Sequence, residues 1–289
     1  MHKNILVTGS NGQLGTEFQY LVSDKDSLDK FYFTNSDTLN ITNKEALRSF
    51  IIENKIDTII NCAAYTAVDN AEKESEIAYS VNAIAVEYMA ELAKEYSLKF
   101  IHVSTDYVFD GTSHMPLRED DSTNPQGIYG KSKLAGEEAI LNIKPEGAVI
   151  VRTSWVYSSI GNNFVKTMIR LGRERDELNV VCDQIGTPTY ARDLARAILI
   201  ILESKDNNKD VSIYHYSNEG TCSWYDFAKA IFEMAEIECK VFPISTTAYP
   251  TPAKRPLYSI LNKDKIKETY SIQIPYWRES LKSCISLLN

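Results

Sequence analysis

The sequence predicts an α/β fold in which a doubly wound parallel sheet is covered by helices on both faces and joined to a smaller C-terminal lobe. Three observations predict it. Short β-branched runs alternate with longer helical patterns through the first half. Those runs are mostly continuous apolar stretches, as strands covered on both faces require. Beyond Arg152 the pattern loosens into shorter elements separated by turn-rich stretches. With 289 residues the chain has room for one large domain or two unequal ones, since domains usually run to about 100–200 residues.

Five strands are expected, at residues 5–8, 31–34, 58–61, 100–104 and 148–152. Thr42 followed three residues later by Glu45 reads as a capping box that opens a helix over residues 43–53. Val81, Ala85, Tyr88, Met89 and Leu92 keep the 3.6-residue period through the long segment before Lys99. Turn-rich stretches at 158–163 and 249–256 break up the second half, and residues 224–235 form a helix whose apolar stripe, Phe227, Ala228, Ile231 and Phe232, suits core packing. The expected division is residues 1–152 as the first domain, with segments near 178–205 as candidates to return to it, and 153–289 as mainly the second lobe. Internal repeats and low-complexity tracts are absent from the sequence.

Charge excludes one class of partner. The chain has 39 acidic against 31 basic residues, a formal charge of -8, and no basic block, so nucleic acid is not expected to bind. Five cysteines (Cys62, Cys182, Cys222, Cys239, Cys284) are odd in number and scattered, with neither a CxxC pair nor a disulfide framework, which fits a reducing cytoplasm. No cleavable apolar segment precedes Ile5, and no run of about 18 apolar residues occurs, so no membrane partner is expected. The four histidines (His2, His102, His114, His215) lack i, i+4 spacing and are read as structural or surface residues, and no metal site is expected.

Chemistry enters at Gly9, Ser10, Asn11, Gly12, Gln13, Leu14, Gly15, which directly follows the first strand and opens the first helix. Gly9 permits the tight turn, Gly12 lets backbone approach a pyrophosphate without a Cβ in the way, and Gly15 lets helix pack closely on strand. The unpaired N–H groups and positive dipole end of the helix then suit phosphate. This is the arrangement of a Rossmann-type domain holding a nicotinamide dinucleotide. Where the second strand ends, Thr34, Asn35, Ser36 and Asp37 offer neither a clear acid for a ribose 2′-hydroxyl nor a base for a 2′-phosphate. Asn35 can hydrogen-bond a ribose, and NADPH and NADH both remain open.

Two further features make an active site. Ser104-Thr105 ends the fourth strand, and Tyr129 and Lys133 sit four residues apart at the start of the next helix, on one face of it. The ammonium is expected to depress the phenol from its ordinary value of about 10. The phenol would then protonate a carbonyl oxygen as hydride arrives, with the Thr105 hydroxyl holding that oxygen. Tyr225 and Lys229 share the spacing but lie in the packing helix.

In this order the motifs resemble those of the extended short-chain dehydrogenase/reductases. Residues 61–69 (NCAAYTAVD), 104–111 (STDYVFDG), 152–157 (RTSWVY), 161–168 (GNNFVKTM), 183–189 (DQIGTPT) and 248–256 (AYPTPAKRP) make the chain similar to the dTDP-4-dehydrorhamnose reductases over nearly its whole length. The resemblance implies reduction, by NADPH or NADH, of the 4-keto group of dTDP-4-dehydro-L-rhamnose to dTDP-L-rhamnose. It implies that Gly12, Gln13, Leu14, Asn40, Ile41, Ala63, Ala64 and Tyr65 line the cofactor beside Gly9, Asn11, Gly15 and Asn35. Thr105, Asp106 and Trp155 would touch the sugar, with Val68, Asp69 and Asn163 as further substrate candidates. Tyr129 is the implied proton donor, and Lys133 serves both ribose and phenol. Trp155 also reads as a buried aromatic anchor, and Arg255 reads equally as a diphosphate ligand or a solvated arginine.

Some relatives dimerise around a metal held by glutamates. Of the positions that correspond, only Glu17 is acidic here, the others being Arg192 and Arg278, with Asp193 and Glu279 next door. A divalent metal is therefore not expected, and a homodimer stays open. Asn40 replaces an aspartate common in relatives. Rival readings are a nucleotide-sugar dehydratase, disfavoured because Asp106 is followed by Tyr107 and not by glutamate, an epimerase, and a non-catalytic nucleotide-binding regulatory subunit.

Overall fold

Successive side chains of a strand point to opposite faces, and in the first strand this alternation divides the core. In β1 (Asn4–Thr8), Ile5 and Val7 enter one hydrophobic cluster while Leu6 enters another. All three are fully buried, and each such side chain contributes about 1.5–3 kcal/mol relative to exposure. The structure is a computed structural model that describes residues 2–23, 28–204 and 208–288.

From β1 the chain turns through α1 (Gln13–Ser23) to β2 (Lys30–Thr34), then through α2 (Lys44–Glu53) to β3 (Thr58–Asn61). Two short helices, α3 (Val68–Ala71) and α4 (Ser75–Tyr79), run through a π-helical turn, Ser80–Ile84, into α5 (Ala85–Glu95). There follow β4 (Lys99–Thr105), α6 (Ile128–Ile143) and β5 (Val149–Thr153). The second half adds β6 (Val156–Tyr157), α7 (Phe164–Glu174), β7 (Glu177–Val181), β8 (Ile185–Gly186), β9 (Thr189–Tyr190), α8 (Ala191–Glu203) and β10 (Ser212–His215). It ends with β11 (Cys222–Ser223), α9 (Trp224–Met234), β12 (Lys240–Ile244), α10 (Asp264–Tyr270) and α11 (Trp277–Ile285).

The main sheet is parallel throughout, in the order β2-β1-β3-β4-β5-β10. The first cluster joins one face to α1, α8 and α10 through Phe18, Leu194, Ile198 and Ile266. The other face meets α2, α5 and α6 through Leu47, Met89 and Ile140. This is the doubly wound α/β fold that the sequence predicts, and all five expected strands form within one residue of their expected ends. The sixth, β10, was not foreseen: its four residues, Ser212, Ile213, Tyr214 and His215, are too few to show a period, yet they pair along β5. A third cluster, centred on Phe227, Ile231, Trp277 and Leu281, packs α7, α9 and α11 with β7 and β12.

One local expectation needs correction. Asn43, not Thr42, caps α2, its side chain accepting from the Ala46 N–H at 3.1 Å, so the capping box from Thr42 to Glu45 does not form. Thr42 is drawn back instead to Asn40, whose Oδ1 accepts both its N–H and its hydroxyl. The segment near 178–205 is divided: α8 packs in the first cluster, whereas β7 pairs with β12 beside the third.

Candidate active site

Strand order reverses at β1, which has β2 on one side and β3 on the other, and open parallel sheets bind ligands in the crevice outside such a point. A cavity of about 710 Å³ opens there. Its floor is the glycine turn. Gly9 has φ +70°, and a Cβ on it would lie 2.7 Å from the Ala63 nitrogen. A Cβ on Gly15 would lie 2.4 Å from the Gly9 oxygen, so Gly15 acts as a spacer between helix and turn and does not line the cavity. Gly12 meets only the Gly9 oxygen, at 3.2 Å, and leaves the start of α1 open.

Gly9, Asn11, Gly12, Gln13, Leu14, Asn35, Asn40, Ile41, Ala63 and Ala64 all line this cavity, and Tyr65 does not. The Tyr65 hydroxyl donates to Glu74. Asn35 and Asn40 also shape their own loop: Asn35 Oδ1 accepts the N–H groups of Asp37 and Thr38, as Asn40 does for Thr42. The cradle fits a dinucleotide. Its phosphates would find the α1 N-terminus beside Gly12, whose own N–H is given to the Gly9 carbonyl at 3.0 Å, and Thr34 Oγ1, buried on the cavity wall, has no hydrogen-bond partner.

β4 and α6 bring the candidate reactive groups together. Thr105, Asp106, Tyr129 and Lys133 all line the cavity. Thr105 donates its hydroxyl to Asp106 Oδ1 at 3.0 Å, and burial pushes the Asp106 carboxyl up to about 6. Tyr129 packs edge-on against Tyr107, with ring centroids 5.4 Å apart. The expected depression of its phenol is not found. Loss of solvent raises the phenol to about 12, with a hydrogen bond to Thr105 pulling partly back. Lys133 instead spends its Nζ on the Val103 carbonyl at 2.8 Å and on His102 Nε2 at 3.3 Å, and burial lowers it to about 8.

At the far end of the cavity, Trp155 adopts φ +47° and stacks on Trp224 at 3.6 Å, so it is both an anchored aromatic and a wall of the cavity. Val68 lines it too. Asn163 lines the cavity while capping α7 and donating to Gln13 Oε1 at 2.9 Å, which ties α7 to the start of α1. Asp69 and Arg255 are not part of the lining. They hold each other through two hydrogen bonds of 3.0 and 2.7 Å, and the Asp69 carboxyl is lowered chiefly by that guanidinium.

Sequence reasoning missed several supporting residues. Asn82, in the π-helical turn, accepts from the Tyr65 N–H at 2.9 Å and donates to the Tyr65 carbonyl and to Ser132, fixing the loop after β3 against α6. Arg152 and Glu137 form a buried ion pair, and Ser104 donates to the same carboxylate. A polar residue inside a helix or strand carries no sequence signal for its partner, so these were not legible. Glu17 is buried and held by Arg192 at 2.7 Å and Ser158 at 2.6 Å, while Arg278 reaches Glu233. Among the described residues no cluster of three or more histidine, cysteine or acidic side chains is placed to hold a metal ion.

Comparison with known proteins places this geometry. A family described as RmlD substrate binding domain matches residues 3–289. The chain belongs to this family. A dTDP-4-dehydrorhamnose reductase of Aggregatibacter actinomycetemcomitans is 45% identical over 287 residues, covering 96% of this chain and 97% of the relative. Among solved structures, a dTDP-4-dehydrorhamnose reductase of Clostridium acetobutylicum superposes with a TM-score of 0.93 at 45% identity, covering 99% of each chain. Another, from Bacillus anthracis in complex with NADP, gives 0.93 at 40% identity, covering 99% of this chain and all of that one. The family resemblance read from the motifs and the Rossmann-type fold are thus borne out. No helix among the described residues is long and apolar enough to cross a membrane.

Proposed function

We propose that the protein reduces the 4-keto group of dTDP-4-dehydro-β-L-rhamnose with NADPH or NADH, giving dTDP-L-rhamnose. The observation that carries this reading is the convergence of the open glycine turn and the group Thr105, Tyr129 and Lys133 on one cavity. Full-length similarity to dTDP-4-dehydrorhamnose reductases supports it.

The bound nicotinamide would supply hydride. Gly12, Gln13, Leu14, Asn40, Ile41, Ala63 and Ala64 would hold the dinucleotide, with Thr34 adding a free hydroxyl. Tyr129 is the acid. A phenol raised to about 12 stays protonated at neutral pH, the form that can give a proton to the carbonyl oxygen. The Thr105 hydroxyl, which donates to Asp106 in the structure, would orient that oxygen on turning its proton to the substrate. Trp155, Val68 and Asn163 face the sugar, and the lobe built on the third cluster carries the nucleotide. Asp69 and Arg255 together steady the 249–256 segment, where Asp69 also accepts the Ala253 N–H at 3.1 Å. All five cysteines are free, which supports residence in a reducing cytoplasm.

The test is NADPH oxidation with dTDP-4-dehydro-L-rhamnose and identification of the product. One mole of NADPH consumed per mole of dTDP-L-rhamnose is expected. Epimerised keto sugar without net cofactor consumption would overturn the reading.

A further inference from the structure

A chain of buried hydrogen bonds runs behind the active site. The Thr8 hydroxyl donates to Asn61 Oδ1 at 2.6 Å, and the Ala63 N–H donates to the same oxygen at 3.2 Å. The Ala63 N–H, which can only donate, is shared with Thr8 Oγ1 at 3.3 Å, and turning the Asn61 amide round would set its NH2 against that N–H, so Nδ2 faces His102 Nδ1 at 3.0 Å. Nδ2 can only donate as well. His102 Nδ1 is therefore the acceptor, and the ring proton of the neutral imidazole sits on Nε2. Nε2 faces Lys133 Nζ at 3.3 Å. An N–H aimed at that nitrogen needs a lone pair, which the amine has and the ammonium lacks.

We propose that His102 is a positioning residue whose Nε2–H favours the free amine of Lys133 while the two side chains touch, so that Lys133 gains proton affinity on leaving that contact. His102 is fully buried, and a second ring proton would point into the Asn61 NH2 group. Burial also keeps the imidazole well below its ordinary range. The other titratable groups near Lys133 are Tyr129 and Glu137 on α6 and Cys62 after β3. The Glu137 carboxylate is taken by Arg152 and Ser104, and Cys62 is kept as a thiol by burial. Val103 O accepts one N–H from Nζ and is satisfied by amine or ammonium alike. The consequence for turnover rests on the reductase reading: the charge on Lys133 beside Tyr129 is set by whether a ligand draws it off His102.

The test is nitrogen-15 NMR of histidine and carbon-13 NMR of lysine in the full chain without added ligand, assigned through the backbone. His102 is expected to carry its proton on Nε2 alone from pH 6 to 9. In His102→Phe the Lys133 midpoint should rise by about one unit, a tenfold gain in proton affinity. In Asn61→Asp the new carboxylate accepts from Nδ1–H, so the tautomer should reverse and Lys133 should become more basic. A proton on Nδ1 of the wild-type ring, or an unmoved Lys133 midpoint in either folded variant, overturns the proposal. Loss of sugar reduction with the tautomer intact would sink the reductase reading alone.

Discussion

Arg152 grips Glu137 inside the protein, Nε lying 3.1 Å from both carboxylate oxygens and Nη2 2.7 Å from one of them. Arg152 is 3% exposed and Glu137 0%. The pair crosses from β5 to α6 behind Ser104, the residue that precedes Thr105. Removing one partner strands a charge without solvent, which typically costs about 3–5 kcal/mol. Arg152→Leu or Glu137→Gln should lower unfolding free energy by that order in urea titration, while the double change to apolar residues should cost far less.

Tyr129→Phe removes the proposed acid and leaves the glycine cradle untouched. The rate of sugar reduction should fall by about 10²–10⁴, with NADPH affinity by calorimetry within about twofold of wild type. Near-normal turnover would contradict the assigned role.

Gly15→Ala places a methyl 2.4 Å from the Gly9 oxygen, so α1 must move off the turn. Overpacking of this kind costs about 1–3 kcal/mol. A lower melting temperature together with weaker cofactor binding is expected, because helix and cradle shift as one. Unchanged affinity would show that the cradle does not hold the dinucleotide.

Asp106 gives a pH signature. Its folded carboxyl lies near 6, above its ordinary 3.8, so the folded state keeps a proton that the unfolded chain releases. The contribution is fully present below about pH 4 and is lost as pH rises through 6, amounting to no more than about 3 kcal/mol. Stability measured across that window should decline with pH in the wild type, and the decline should be smaller in Asp106→Asn.

Asp69 and Arg255 are 37% and 25% exposed, so their pair should contribute under about 1 kcal/mol to stability. Asp69→Asn should therefore leave melting nearly unchanged. It should raise KM for the nucleotide sugar by loosening the 249–256 segment, while KM for NADPH stays put.

Elements with their own periodicity or turn chemistry were legible in the sequence. The apolar runs of β1 and β3–β5 name themselves, and Gly9, Gly12 and Gly15 announce the turn because each answers a local steric demand. Thr105, Tyr129 and Lys133 were found by order along the chain. What stayed hidden depends on distant partners. Nothing near His102 says that Asn61 fixes its tautomer, and Lys133 was expected to face the phenol when its nitrogen is held by Val103 and His102. Asn43 outcompeted Thr42 for the cap because Asn40 had already engaged Thr42.

The late arrival of β10 bears on how the chain is made. Residues 1–152 contain the glycine turn and Tyr129, yet during synthesis they emerge with β5 as a bare sheet edge. They also lack the apolar face of α8, whose Leu194, Ile198 and Leu202 seal one side of the sheet. A nascent chain halted before residue 191 therefore exposes both an unpaired strand and a greasy surface, the combination that chaperones bind. The catalytic half should mature only after most of the polypeptide has left the ribosome, and it should aggregate when expressed alone.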